Sequence, residues 1–217
     1  MDRNLREMLT ESARAIHVPL TMREVNLFDI YYKELVFWNK KINLVSTDTP
    51  QDIIIKHFID SLTPVPFIPC PGGRLLDIGS GGGFPGIPLK IVMTSLQVVL
   101  LESSRKKTSY LKHMIRCLQL SQTLVLHARA EQVMQDASLQ ATFDMVISRA
   151  AFNLPKLLEM AHFFLAPQGW LIAMKGPNFK EEPGLANTWG FVCAACHPIA
   201  IPHQGGQRKL LIFQRDI

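Results

Sequence analysis

A chain of 217 residues with 47% hydrophobic content falls where a single domain buries about 70% of its unfolded surface, so one domain spanning residues 1–217 is expected. The first residues alternate in charge, and the longest uncharged stretch, Pro183 to Gln207, is interrupted by prolines, histidines and glycines. These features argue against a signal peptide or membrane span and for a cytoplasmic protein. The net charge of +5 is unevenly placed: Arg105, Lys106, Lys107, Lys112, Arg116 and Arg129 stand against only Glu102 in residues 101–130. A local basic face of this kind favours a polyanionic partner.

In chain order, residues 1–70 read as a helical extension and 71–217 as the main α/β core. Leu5, Met8 and Leu9, then Val25, Phe28, Tyr31, Leu35 and Trp38, recur at helical spacing, which predicts two or three helices. Pro19-Leu20-Thr21 serves as linker and cap. Thr47-Asp48-Thr49-Pro50 starts a further short helix carrying Ile53, Ile54, His57 and Phe58, and Thr63-Pro64 with Pro66 ends it. Pro69 to Gly73 is the boundary before the core.

From Arg74 onward, short β-rich runs alternate with helical stretches, which implies a parallel sheet covered on both faces. Strands are predicted at Arg74–Ile78, Gln97–Glu102, Thr123–His127, Phe143–Ser148 and Trp170–Lys175. Two late runs, Gly190–Ala195 and Lys209–Phe213, are separated only by loop-like residues that include Pro202 and Gly205-Gly206. They are expected to pair antiparallel at the edge.

The first predicted strand runs into Asp77-Ile78-Gly79-Ser80-Gly81-Gly82-Gly83-Phe84-Pro85-Gly86, a glycine turn opening a helix, where backbone approaches a ligand closely. Gly81, Gly83 and Gly86 match G-x-G-x-x-G, which by itself admits a nicotinamide dinucleotide. Asp77 favours S-adenosylmethionine instead, because a carboxylate there repels a pyrophosphate and attracts an amino and a sulfonium group. Glu102 closes the second strand, where doubly wound folds place an acid on ribose hydroxyls. Ala130-Glu131, after Arg129, is placed to frame an adenine. The expected architecture is therefore a Rossmann-like class I S-adenosylmethionine-dependent methyltransferase fold, with a mostly parallel seven-stranded sheet, an antiparallel edge and an N-terminal helical extension.

The residues at the end of the fourth strand narrow the reaction type. Ser148-Arg149-Ala150 stands where enzymes that methylate exocyclic amines carry Asn or Asp before Pro-Pro-aromatic, and the one Pro-Cys pair, Pro69-Cys70, precedes the first strand, which disfavours a covalent route through a thiolate. Guanine N7 offers an open lone pair, so positioning supplies much of the catalysis. Arg149 is placed to hold the base or a nearby phosphate. The helix from Arg105 sets Arg105, Lys112 and Arg116 on one stripe, with Lys106 beside it, opposite Leu111, Met114, Ile115 and Leu118; it is the candidate RNA-binding face.

No metal is expected. Cys70 and Cys117 are isolated in the sequence, and Cys193-Ala-Ala-Cys196-His197, which has the spacing of a haem attachment, reads as a strand whose cysteines are buried and point to opposite faces. A dehydrogenase, a small-molecule methyltransferase, a methyltransferase for another RNA site and a non-catalytic S-adenosylmethionine- and RNA-binding protein are the competing readings.

Taken together, Asn39 to Ser46, His57 to Ser61, Asp77 to Pro88, Arg129 to Glu131, Ser148 to Ala150, Lys175-Gly176 and Arg208 to Leu210 resemble the small-subunit ribosomal RNA methyltransferase G family, also called glucose-inhibited division protein B. The resemblance implies methyl transfer from S-adenosylmethionine to N7 of a guanine in 16S ribosomal RNA, naked or in a ribosomal particle, by a monomer. By position it implies that Asp77, Gly79, Gly81, Gly82, Glu102, Ala130, Glu131 and Arg149 line the cofactor pocket, with Ser80, Phe84 and Pro85 in the same loop. It likewise implies that Asn43, His57, Arg129, Arg149, Lys175 and Arg208 surround the reaction site or meet RNA.

Overall fold

The structure, a computed structural model, describes residues 1–46, 49–149, 151–180, 184–203 and 207–216. Thr47 and Asp48 of the expected helix start, Ala150, Pro183 and the Gly205-Gly206 turn lie outside the described residues.

Helix α1 spans Arg3–Ala15 and α2 spans Met22–Ile42. Thr21 starts α2 through a reciprocal capping box: its side chain accepts from the Glu24 amide, and the Glu24 carboxylate accepts from the Thr21 amide at 2.6 Å. A third helical segment, α3, covers residues 50–62. Thr49 caps it, and its middle, Ile53–Ile59, is wound as a π-helix. Ile53, Ile54, Ile55, Phe58 and Ile59 are buried there.

Strands β1 (Arg74–Ile78), β2 (Gln97–Glu102) and β3 (Thr123–His127) lie where the apolar runs place them. β4 (Phe143–Arg149) and β5 (Leu165–Lys175) run longer than the sequence places them, and β6 (Phe191–Ala200) and β7 (Gln207–Arg215) complete the sheet. Helices α4 (Gly86–Val92), α5 (Arg105–Cys117), α6 (Ala130–Val133) and α7 (Leu154–Phe164) connect them. The strand order is β3-β2-β1-β4-β5-β7-β6. The first five strands are parallel, and β7 is antiparallel to both β5 and β6. Strand direction was legible in the sequence, whereas the insertion of β7 between β5 and β6 was not.

Alternation along each strand divides the core into two layers. Leu75, Val98, Leu100, Met145, Ile147 and Ile172 point into one layer, where they pack with Leu9, Phe28, Tyr31, Phe58, Leu111 and Met114. Leu76, Val99, Leu101, Val146 and Leu171 point into the other, against Val133, Leu157, Leu158 and Phe164. The amino-terminal helices thus share a continuous core with one face of the sheet.

The cysteines of β6 correct the sequence expectation, since Cys193 and Cys196 are exposed. β6 is an edge strand with a bulge between Cys193 and Ala195; Cys193 pairs with Phe213 and Cys196 with Leu211. Those partners are two residues apart on β7, so the bulge returns both cysteines to one face.

Candidate active site at the carboxyl edge of the sheet

The chain turns in opposite directions after β1 and before β4, and the crevice at such a switch point is where doubly wound sheets bind ligands. Two of the cavities at this edge are lined by predicted site residues from several strand ends, and a third, of about 330 Å³, shares Phe152 with one and Lys175 with the other.

The first, of about 290 Å³, is lined by Ile78, Gly79, Leu101, Glu102, Ser103, Ala128, Arg129, Ala130, Glu131 and Phe152. Gly79 has φ +77° and a Cβ there would stand 2.8 Å from that of Ala151, so both the backbone conformation and the space require glycine. The two oxygens of Glu102 accept from the amides of Gly81 (2.9 Å) and Ser104 (2.8 Å). Those bonds fix the carboxylate at the cavity wall while leaving lone pairs on both oxygens for hydroxyl donors. Arg129, Ala130 and Glu131 form the opposite wall, at the start of α6.

Beneath the loop lies Asp77, which is fully buried; its Oδ2 accepts from the Gly86 amide at 2.9 Å and its Oδ1 has no hydrogen-bond partner. Burial lifts its pKa to about 7 against the pull of that amide and of the Arg149 charge, and Glu102 pushes it the same way as burial. An orphaned buried carboxyl oxygen under a glycine cradle, next to a fixed carboxylate, suits a cationic nucleoside. A dinucleotide's pyrophosphate would face these two acids unfavourably. Ser80 donates from its hydroxyl to the Asp77 carbonyl, and Gly82 accepts from the Tyr31 hydroxyl at 2.6 Å. Helix α2 therefore braces the loop directly. Phe84 is buried against Tyr31, ring centroids 5.4 Å apart, and Pro85 follows it at the start of α4. Asp77, Ser80, Gly82, Phe84 and Pro85 thus shape the cavity from behind without lining it.

The second cavity, of about 270 Å³, is lined by Ser46, Lys56, His57, Asp60, Arg149, Met174, Lys175 and Arg208. The family resemblance puts Arg149 in the cofactor pocket as well, but the structure places it here. Its Nη1 donates to the Lys56 carbonyl (2.9 Å) and to Asp60 Oδ2 (3.1 Å), and its Nη2 to His57 Nδ1 (3.1 Å), while the guanidinium lies 5.0 Å from the Phe84 ring centre. Arg208 Nε donates to the other oxygen of Asp60 at 3.1 Å. Asp60, with 1% of its surface exposed, therefore orients two arginines from β4 and β7. Its role is invisible in the sequence because an acid inside an Ile-Asp-Ser run carries no signal until the sheet brings distant partners to it.

The π-helical winding of 53–59 helps present Lys56, His57 and Asp60 to Arg149, in keeping with the frequent use of such turns at functional sites. Burial, and then the Arg149 charge, push the His57 pKa down to about 3, so the ring is neutral at physiological pH. With Nδ1 accepting from Arg149, Nε2 carries the hydrogen, and that buried nitrogen has no partner. Lys175 donates to the Phe152 carbonyl at 2.7 Å, tying β5 to the segment that walls the cofactor cavity, and burial pulls its pKa down.

Asn43 and the basic residues of α5 also sit outside both cavities. Asn43 is exposed at the end of α2 with φ +25°, and it is Asn39 that organises this turn, accepting from the Leu44 and Val45 amides. The basic side chains Arg105, Lys106, Lys112 and Arg116 are exposed on α5, whose Leu111 and Met114 are buried. Ser104 caps α5 one residue beyond the cofactor cavity, so the basic face begins at the rim of the site.

Comparison with known proteins agrees with this geometry. Residues 24–210 match the family model described as rRNA small subunit methyltransferase G. A protein named ribosomal RNA small subunit methyltransferase G from Syntrophus aciditrophicus (strain SB) is 45% identical over 97% of this chain and 89% of its own length. A protein of the same name from Geobacter sp. (strain M21) is 36% identical over 100% of both chains. Among solved structures, a putative sarcosine dimethylglycine methyltransferase from Galdieria sulphuraria superposes with a TM-score of 0.59, at 11% identity over 87% of this chain and 98% of that one. The M. jannaschii TYW2 protein in complex with AdoMet gives 0.51 at 18% identity, over 67% and 70% of the two chains. These last two show the shared fold.

Proposed function

Because the chain belongs to the rRNA small subunit methyltransferase G family, we propose that it transfers a methyl group from S-adenosylmethionine to N7 of a guanine in small-subunit ribosomal RNA. The observation that carries this reading is a pair of cavities linked through the Lys175–Phe152 hydrogen bond, one bounded by a fixed carboxylate and the other basic. When bound, the cofactor supplies an electrophilic methyl on a cationic sulfur. Glu102 receives the ribose hydroxyls, Gly79 and Ala130 give backbone access, Arg129 and Glu131 frame the base of the cofactor, and Asp77 favours its positive charge through the loop.

The second cavity holds the target nucleotide. With Lys56 paired to Asp52, the three cations Arg149, Lys175 and Arg208 still outnumber Asp60 there, which suits a phosphate or the O6 acceptor of guanine. Guanine N7 has no proton to lose, so no general base is required, and a neutral His57 with its Nδ1 already occupied fits a positioning role. The site acts by holding N7 in line with the methyl group. Arg105, Lys106, Lys112 and Arg116 extend the positive surface from the cavity rim and take the flanking phosphates. The acting species is a single chain in the cytoplasm, with residues 1–70 as the helical extension that braces the glycine loop. Among the described residues no helix is long and apolar enough to cross a membrane.

The test is methyl transfer from labelled S-adenosylmethionine to small-subunit ribosomal RNA, supplied naked and in particles, followed by mapping of the product. One N7-methylguanine at a single position is expected. Label on a small molecule, on another base atom or on no RNA would refute the assignment.

A further inference from the structure

Cys117 is isolated in the sequence but not in the fold. His113 and Cys117 stand four residues apart on α5, a spacing that puts two side chains on one helix face. Helix α2 packs against α5 and brings Glu34 to the same place. His113 Nε2 lies 2.7 Å from Glu34 Oε2 and 3.3 Å from Cys117 Sγ, and one donor atom from each residue falls within 4.8 Å of the others. Trp38, one turn beyond Glu34, leans on the His113 ring at 5.4 Å between centroids. All three donors are half-buried, within reach of an ion from solvent yet sheltered by the indole.

A second observation points to a ligand at this spot. Tyr110, one turn before His113, is fully buried, and its hydroxyl has no hydrogen-bond partner. Its ring lies 5.8 Å from that of Trp38, the same indole that packs on His113, so an unsatisfied phenol is packed next to the donor cluster.

We propose that Glu34, His113 and Cys117 bind one Zn²⁺ ion, with a water in the fourth position. Thiolate, imidazole and carboxylate match the preferences of this borderline-soft cation. Bond lengths of about 2.0–2.3 Å in a tetrahedron separate the donors by roughly 3.4–3.6 Å. The Cys117–His113 spacing is close to that already, and Glu34, on a long half-exposed side chain, moves outward by less than ~1 Å. Binding through Nε2 requires the neutral His113 ring to carry its proton on Nδ1, and the thiol proton of Cys117 passes to solvent. It clamps the amino-terminal helices to the helix whose outer face carries Lys112 and Arg116, away from the cofactor cavity.

The test is Co²⁺ titration of the chelator-stripped, full-length protein. A thiolate-to-cobalt charge-transfer band, tetrahedral visible bands and saturation at one ion per chain are expected, with Zn²⁺ displacing the cobalt. Cys117→Ser should remove the charge-transfer band and His113→Ala should weaken binding at least ~10-fold, both with unchanged circular dichroism, while the Cys193→Ser/Cys196→Ser double variant should leave the spectrum intact. Absence of the band, its survival in Cys117→Ser, or its loss in the double variant would overturn the proposal. Zinc-edge X-ray absorption of the unaltered protein gives an independent reading should a variant misfold: one sulfur with nitrogen and oxygen neighbours supports the site, and two sulfurs contradict it.

Discussion

Asp77 carries a cost in the folded protein that ligand binding relieves. Its pKa of about 7 lies above the ordinary value of 3.8, so the folded state holds a proton that the unfolded state has released. The associated stability is full below about pH 4 and is lost as the pH rises through about 7. A cationic cofactor favours the ionised form, so its affinity should rise between pH 5 and 7, by at most about tenfold per pH unit, and then level off. Asp77→Asn should flatten both profiles, which calorimetric titration and thermal melts across that range would show; an unchanged slope would remove Asp77 from the cofactor's field. Asp60 is the second decisive residue. Asp60→Ala leaves two arginines without their shared buried anion and should cost about 3–5 kcal/mol of stability, read by denaturant unfolding. A loss below ~1 kcal/mol would mean that the arginines find other partners. Of these two acids only Asp77 was legible in the sequence, because a carboxylate ahead of a glycine turn is a local pattern. Asp60 acquires its role from Arg149 and Arg208, 89 and 148 residues away, which no local pattern encodes.

Among the elements, α5 and α3 contrast in how plainly they announce themselves. The basic stripe of α5 follows from a 3.6-residue period applied to Arg105, Lys112 and Arg116, and the exposure of these three beside buried Leu111 and Met114 is what that period predicts. If the stripe tracks phosphates, Lys112→Ala and Arg116→Ala should each weaken RNA binding and lower the slope of log affinity against log salt by about 0.7–0.9, with cofactor affinity unchanged. A salt slope equal to that of the unaltered protein would make the stripe a solvated surface. The π-winding of α3 had no comparable sequence signal. Its Ile-Ile-Ile run is compatible with α-helix, and the wider turn becomes meaningful only where the Lys56 carbonyl and Asp60 meet Arg149. The edge pair shows the same limit, since two late apolar runs announce an antiparallel hairpin but not which of them joins β5.

At the scale of the molecule, the amino-terminal helices are part of the catalytic architecture, because Tyr31 holds the glycine loop and Phe28, Phe58 and Phe84 pack in one layer with the sheet. Phe58→Ala should therefore cost about 3–5 kcal/mol and move a single cooperative unfolding transition. Two transitions, only one of them shifted, would show that residues 1–70 unfold independently. The fold class was readable because strand-helix alternation and the glycine turn are repeated local signals. The division of the site into two cavities was not, since it depends on which strand ends lie beside the switch point. Cofactor affinity measured beside the single-turnover methyl-transfer rate, for Glu102→Ala and Arg149→Lys, separates the two cavities by function. Glu102→Ala should lose cofactor binding, whereas Arg149→Lys should bind the cofactor normally and transfer methyl roughly 100-fold more slowly. Equal loss of both quantities in Arg149→Lys would return Arg149 to the cofactor pocket and rule out a separate substrate cavity.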